Sequence, residues 1–120
     1  MGKFENLHVW QRAQKLCIKI YRETGKELFG KDFGLRDQVR RASVSIPSNI
    51  AEGDESGSDK LSVKYFYISK GSVAELYTQL VIAKAIGYID DAIFNDLIED
   101  CRAISSMLLN LIKARSGKKI

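Results

Sequence analysis

Histidine, cysteine and glycine-rich motifs, which supply much of enzyme and metal chemistry, are scarce in this sequence. The chain of 120 residues has one histidine, His8, and two widely separated cysteines, Cys17 and Cys101. It has no HExxH, no CxxC and no glycine-rich phosphate loop, and one histidine cannot complete the paired Glu-x-x-His motifs of a di-iron bundle. The sequence therefore predicts a protein that is not an enzyme, binds no metal ion or cofactor, and keeps both cysteines as buried, reduced thiols.

Long hydrophobic runs are also absent. The longest stretches without a charged residue, such as 103–112, have ten residues, roughly half of what a membrane-spanning helix needs. The first fifteen residues carry scattered charges and no apolar segment, unlike a secretory signal. We therefore expect a cytoplasmic protein that does not enter a membrane.

No segment shows the alternating pattern of a β-strand, whereas apolar residues recur every three or four positions over most of the chain. This periodicity predicts helices at 7–24, 35–52, 58–86 and 91–114, joined by connections at 26–33 and 53–58. The expected N-terminal caps are Asn6, Ser58 or Asp59, and Asp90 or Asp91. The predicted fold is all-α, an antiparallel up-down-up-down four-helix bundle in a single domain, 1–120, with a basic tail at 115–120.

The stretch 34–53 contains the only proline, Pro47, inside an unbroken apolar stripe. The stripe residues are Leu35, Val39, Ala42, Ile46 and Ile50. Because proline removes the hydrogen bond to the carbonyl of Ser43, the pattern predicts one helix that is kinked at Pro47. A second stripe of small or polar residues, which allows another helix to approach closely, follows beside it: Arg41, Ser45, Ser48 and Glu52.

The third predicted helix is apolar around more of its circumference than one core can cover. We therefore expect a homo-oligomer, with an interface formed by Trp10, Phe66, Val73 and Tyr77.

Polar residues also fall within or beside the expected core stripes of the second and third helices. We expect them to pair in a buried structural cluster beside Pro47, because an unpaired buried polar group costs roughly 1–3 kcal/mol. The cluster would contain Gln38, Arg41, Asn49, Glu52 and Glu75.

Charge is strongly segregated along the chain, although the net charge is only +4. Residues 1–51 carry 10 basic and 5 acidic side chains (+5), residues 52–100 carry 4 and 10 (−6), and residues 101–120 carry 5 and none (+5). Clustered arginines and lysines suit phosphate contacts with RNA or DNA, and the candidates are Arg36, Arg40, Arg41, Lys113, Arg115, Lys118 and Lys119. The alternative is that Asp37 pairs with Arg41 and the remaining residues form a solvated face.

The segment 33–53, FGLRDQVRRASVSIPSNIAEG, is the most distinctive part of the chain. Together with Val9-Trp10-Gln11, Gly71-Ser72, Glu75-Leu76 and Gly87-Tyr88, it resembles the bacterial four-helix-bundle family named after proteins encoded in intervening sequences of 23S ribosomal RNA genes. The resemblance covers nearly the whole chain.

That resemblance implies a cytoplasmic bundle assembled as a homopentameric ring. It also implies kinship with the accessory variability proteins of diversity-generating retroelements, which engage nucleic acid and a reverse transcriptase. One departure is the acidic segment Asp54-Glu55-Ser56, where the family often has basic residues; it weakens a phosphate-binding role for this linker. The expected function is that of a non-enzymatic accessory protein that binds nucleic acid, and the alternative is a scaffold that binds another protein and no nucleic acid.

Overall fold

Helices account for almost all of the structure, a computed structural model that describes residues 3–117. After a short 3-10 helix at Phe4–Asn6, the helices are α1 (His8–Thr24), α2 (Glu27–Lys31), α3 (Phe33–Glu55), α4 (Asp59–Ala85) and α5 (Asp91–Ser116). No β-strand occurs within these residues. None of the helices among them is both long and apolar enough to cross a membrane.

The four long helices form the predicted antiparallel bundle. α3 packs mainly against α4 and α1, and α5 packs against α4 and α1, so the four helices close into a square with one shared core. Short links reverse the chain from α3 to α4 and from α4 to α5, and a polar side chain caps the start of each following helix. Ser58 and Asp90 accept hydrogen bonds from the backbone N–H groups of Leu61 and Ile93 at 3.2 and 2.8 Å.

Two predicted details at the start of the chain are wrong. Leu7, not Asn6, is the N-cap of α1, and no side chain caps that helix. The expected connection at 26–33 contains helix α2, whose Phe29 is buried with its ring centroid 5.2 Å from that of Tyr88. Gly30 permits this turn, since a Cβ there would lie 2.8 Å from the carbonyl oxygen of Gly25.

Asp32 links α2 to α3 and to the turn before α5. Its carboxylate caps α3 by accepting from the N–H of Leu35 at 3.1 Å, and it also accepts from the hydroxyl of Tyr88 at 2.8 Å. These two hydrogen bonds lower the pKa of Asp32, and the bond from the backbone of Leu35 has the larger effect. The hydrogen bond from Tyr88 to Asp32 in turn raises the pKa of Tyr88. Together the contacts hold α2 against the bundle.

The apolar stripe of α3 faces the core as predicted. Val39, Ala42, Ile46 and Ile50 are buried and Leu35 packs at the edge. The helix continues through Pro47 to Glu55, so the linker to α4 is shorter than expected; the kink stays a prediction.

Candidate interaction surfaces

Two of the arginines predicted to bind phosphate fasten α3 to the segment before it. The guanidinium of Arg40 donates to the hydroxyl of Thr24 at 2.8 Å and to the carbonyl of Tyr21 at 3.3 Å, and it stacks over the Tyr21 ring. Arg36 donates to Asp37 at 2.9 Å and to the carbonyl of Gly30 at 3.2 Å. Asp37 is therefore paired with Arg36, and the alternative pair of Asp37 with Arg41 does not form.

At the other end of the bundle, the side chain of Arg115 is also engaged in contacts within the chain. It donates to Asp54 at 2.6 Å and to the hydroxyl of Ser62 at 3.3 Å, and its guanidinium lies 5.6 Å from the centre of the Phe66 ring. Asp54, from the acidic segment 54–56, thus anchors the last helix. Lys113 is half-buried, and Lys118 and Lys119 lie outside the described residues.

The predicted buried polar cluster is wrong for the single chain. Gln38, Arg41, Glu52 and Glu75 are exposed. Only Asn49 is half-buried, and its amide donates to the carbonyl and hydroxyl oxygens of Ser45 at 2.8 and 3.0 Å. The reason is geometric. Gln38, Arg41 and Glu52 lie on the side of α3 away from its buried stripe, and Glu75 lies on the exposed side of α4.

The predicted interface residues are also misplaced. Phe66 is fully buried and Val73 is 4% exposed, so both belong to the chain's own core. Trp10 and Tyr77 are half-buried and pack against that core. The sequence interpretation therefore chose the wrong face of α4, whose buried residues are Ser62, Phe66, Ser69, Ser72, Val73, Leu76, Gln79, Leu80 and Ala83.

A second line of residues, one position earlier, leaves several large apolar side chains of α4 in solvent. Ile68 is 43% exposed and Ile82 is 46% exposed. We name this line the outer seam of α4; it consists of Leu61, Tyr65, Ile68, Ser72, Glu75, Gln79, Ile82 and Ile86. The sequence interpretation assigned the first part of this line, Leu61, Tyr65, Ile68 and Ser72, to a core face of the helix, because its spacing of four and three residues is the same as that of the true core line.

Basic residues that were not among the predicted sites line one side of α1. The α1 basic stripe consists of His8, Arg12, Lys15, Lys19 and Arg22, spaced by four, three, four and three residues. These residues share one face of the helix. The stripe extends over the 15 residues from His8 to Arg22, or about 21 Å of helix axis.

Two members of the stripe are fixed by a nearly buried carboxylate. Arg12 and Lys19 bind the two oxygens of Asp100 at 3.0 and 2.8 Å, and the side chain of Asp100 is 10% exposed. Lys19 also reaches Asp96 at 3.0 Å. The hydrogen bond to Asp100 is the main reason that the pKa of Lys19 is raised.

The other members, His8, Lys15 and Arg22, are exposed and have no ion-pair partner within residues 3–117. Shallow depressions of about 370 and 290 Å³ lie between α1 and α5 and share Lys19 as a wall. The first also contains His8, Arg12 and Lys15, and the second contains Arg22. Carboxylates line them as well, Asp100 in the first and Glu23 and Asp96 in the second, so both signs of charge lie along this side of α1.

Metal ligation has no comparable support in residues 3–117. No group of three or more His, Cys, Asp or Glu side chains is placed there to hold a metal ion. Both cysteines are free thiols, Cys101 buried and Cys17 half-buried. Burial raises the pKa of Cys101 to about 12, with a smaller contribution from the charge of Asp100.

Comparisons with known proteins agree with this architecture. The sequence profile of a family described as 23S rRNA-intervening sequence protein matches residues 5–110. A crystal structure described as a protein with unknown function from the S23 ribosomal protein family, from Bacteroides thetaiotaomicron, superposes with a TM-score of 0.81. It is 22% identical, and the alignment covers 88% of this chain and 98% of that chain. No curated protein sequence matches the chain significantly.

Proposed function

Because the chain belongs to the family of 23S rRNA-intervening sequence proteins, we propose that it is a non-enzymatic, cytoplasmic accessory protein that binds RNA or DNA as a homo-oligomer. The observation that carries this proposal is the α1 basic stripe. A straight line of cations on a rigid helix suits contacts with successive phosphates, which confer affinity without reading the base sequence.

The stripe keeps a positive charge after its internal ion pairs are taken into account. Arg12, Lys15, Lys19 and Arg22 contribute +4, and the neighbouring Asp96 and Asp100 contribute −2, leaving +2 per chain. Asp100 also holds Arg12 and Lys19 in place, so less side-chain entropy is lost when they meet a phosphate. Lys15 and Arg22 remain free to donate all their N–H groups.

Self-association would multiply this modest charge. The outer seam of α4 leaves Leu61, Ile68, Ile82 and Ile86 between 43% and 52% exposed, which favours contact with another polypeptide. A fivefold ring, as the family resemblance implies, would repeat the stripe on every copy and make binding multivalent.

The test measures binding of fluorescent single-stranded RNA and duplex DNA between about 50 and 300 mM salt. Replacing Lys15 and Arg22 by Gln should weaken RNA binding on the order of tenfold at low salt and reduce the slope of log K against log salt by about 1.4, since each lost contact contributes about 0.7. The matched control replaces Lys31 and Lys60 by Gln; both are exposed and make no ion pair among the described residues.

Equal weakening in the two variants would contradict the α1 basic stripe as the binding surface. Deleting 118–120 tests the predicted contribution of Lys118 and Lys119 in the same assay.

The alternative function is a scaffold that binds another protein and no nucleic acid, which the exposed outer seam favours. An intact oligomer that binds neither RNA nor DNA at about 50 mM salt would support that alternative.

A further inference from the structure

The outer seam of α4 has the pattern of a helix that packs against a neighbour along its length. Its eight positions alternate by four and three residues from Leu61 to Ile86, the repeat of helices that pack in register. The core line of α4 repeats in the same way and is covered by the other helices of the bundle. Within the described chain the outer seam is covered only in part: Ser72 and Gln79 are 9% and 6% exposed, whereas Ile68, Ile82 and Ile86 remain in solvent.

A complementary line lies beside it on α3. Gly34, Gln38, Arg41, Ser45, Ser48 and Glu52 are spaced by four, three, four, three and four residues. The hydroxyls of Ser45 and Ser72 are 2.8 Å apart and join the two lines. We name the space between the lines the α3–α4 groove; near its middle the small side chains of Ser45, Ser48 and Ser72 allow another helix to come close.

One polar atom near the groove lacks a partner although water hardly reaches it. Gln79 is only 6% exposed, and its side-chain oxygen accepts no hydrogen bond in the described structure. Its amide nitrogen lies 3.4 Å from a carboxylate oxygen of Glu75. Because stranding a buried acceptor is unfavourable, a donor that a second chain brings beside Gln79 would stabilise this side chain.

The charges of the groove identify the kind of partner. Glu52 and Glu75 are exposed carboxylates and Arg41 is an exposed guanidinium, and none of the three forms an ion pair within residues 3–117. A second copy of the chain supplies the missing partners: its Arg41 can pair with Glu52 or Glu75 of the first copy, and its carboxylates can pair with Arg41 of the first copy. An arginine also has five N–H donors, enough for a carboxylate and an amide oxygen together.

We propose that a helix of a second copy of this chain lies in the α3–α4 groove, with Ile68 and Ile82 as its apolar contacts. This inference rests on the proposed self-association and identifies the surface through which the copies make contact. The polar residues that the single chain leaves in solvent, Gln38, Arg41, Glu52 and Glu75, are then covered between copies. The α1 basic stripe lies outside the groove.

The test compares the mass in solution of two double variants by light scattering, with circular dichroism to monitor folding. Ile68→Asp with Ile82→Asp places charges in the groove. Tyr67→Asp with Val81→Asp is the matched control, because these residues are 49% and 43% exposed but lie one position away, about 100° around α4. We expect the control to remain an oligomer and the groove variant to give the single-chain mass of 13.5 kDa.

The outcomes separate the two proposals. A wild-type protein with the mass of one chain would overturn self-association itself. An oligomeric wild type whose groove variant also stays oligomeric, or whose control dissociates equally, would overturn the groove alone.

A second pair of variants covers the case in which the aspartates unfold the chain. Arg41→Glu should reduce the oligomer mass, whereas Arg22→Glu, an equally large charge change at another exposed arginine, should not. Failure of Arg41→Glu to shift the mass while the chain stays helical would also overturn the groove. If Arg22→Glu dissociates the oligomer as well, the effect is not specific to the groove and the inference fails.

Discussion

Gly53 is a position of close approach between α3 and α4. A Cβ at this position would lie 2.6 and 2.9 Å from two ring carbons of Phe66 and 3.1 Å from the carbonyl oxygen of Ser62. Phe66 is fully buried, with the guanidinium of Arg115 on its ring, so it has little room to move. The hydroxyl of Ser62 donates to the carbonyl of Gly53 at 2.6 Å and fixes the spacing of the two helices.

Replacing Gly53 by Ala should therefore destabilise the protein, although alanine is the better helix former. We expect a loss of about 1–3 kcal/mol, as for other overpacked sites. Gly71→Ala is the control, since a Cβ there meets nothing within 4 Å, and it should stabilise the chain by up to about 1 kcal/mol. Urea unfolding of both variants measures the difference; a Gly53→Ala protein as stable as the wild type would show that Phe66 can move aside.

The two cysteines should differ in reactivity towards a thiol reagent. Cys101 is 1% exposed and burial raises its pKa to about 12, so at pH 8 only about one thiol in ten thousand is the reactive thiolate. Cys17 is half-buried at the surface of α1. We expect one fast-reacting thiol in the folded wild type and none in Cys17→Ser, with the second reacting only after unfolding in urea. Fast modification of Cys101 in the folded Cys17→Ser protein would contradict its burial.

The same shift has a consequence for stability in alkali. Because the pKa of Cys101 is raised in the folded state above its ordinary value of 9.0, unfolding releases a proton above that pH. The contribution of this thiol to the free energy of unfolding is complete below about pH 9 and is lost as the pH rises towards 12.

At the scale of the elements, periodicity located the four long helices because each covers several turns. The same method could not detect α2, since five residues do not complete a recognisable amphipathic repeat. That short helix is fixed by tertiary contacts instead, through Phe29 against Tyr88 and through Asp32. The partners are 56 residues apart in the chain and no local pattern links them.

The face of α4 was misassigned for a different physical reason. Two lines with the same spacing lie one position apart, and both contain large apolar residues. The core line includes Ser62 and Ser69, which look like solvent-facing residues in the sequence. In the structure their hydroxyls donate to the carbonyls of Gly53 and Ile46 on α3, so the polar groups are satisfied inside the bundle.

The candidate binding surface was only partly accessible to sequence reasoning. The spacing of the α1 basic stripe is visible in the sequence, but the role of Asp100 is not, because it lies 81 residues beyond Lys19. Conversely, Arg36 and Arg40 formed the densest basic cluster with Arg41, yet the fold uses them to join α3 to α1 and α2. Local charge density therefore does not distinguish a binding arginine from one that holds helices together.

At the scale of the whole molecule, the bundle brings the basic and acidic segments of the chain into contact. The basic side of α1 lies against the acidic first half of α5, and Arg115 near the C-terminus binds Asp54. Three cations of the basic segments, Arg12, Lys19 and Arg115, are thereby paired with carboxylates of the acidic segment. The members of the α1 basic stripe that have no ion-pair partner among the described residues are His8, Lys15 and Arg22, which lie along one edge of the bundle.

If every copy in an oligomer presents this edge, affinity should depend on the length of the nucleic acid. The groove variant, Ile68→Asp with Ile82→Asp, keeps the α1 basic stripe but should lose the contacts between copies. We expect its affinity for a long single-stranded RNA to fall by at least roughly a hundredfold, because linked sites gain about 10² to 10⁴ in affinity. A six-nucleotide RNA, which reaches only one stripe, should bind the variant and the wild type equally.

Fluorescence anisotropy with both RNAs at the same salt concentration measures the two affinities. The variant with Tyr67→Asp and Val81→Asp adds the same negative charge to α4 and controls for simple repulsion of RNA. If that control loses affinity for long RNA as strongly as the groove variant, repulsion explains the effect and multivalency does not. If a groove variant shown to be a monomer binds long RNA as tightly as the wild type, one chain contains the complete binding site, and the proposed benefit of assembly for nucleic-acid binding is wrong.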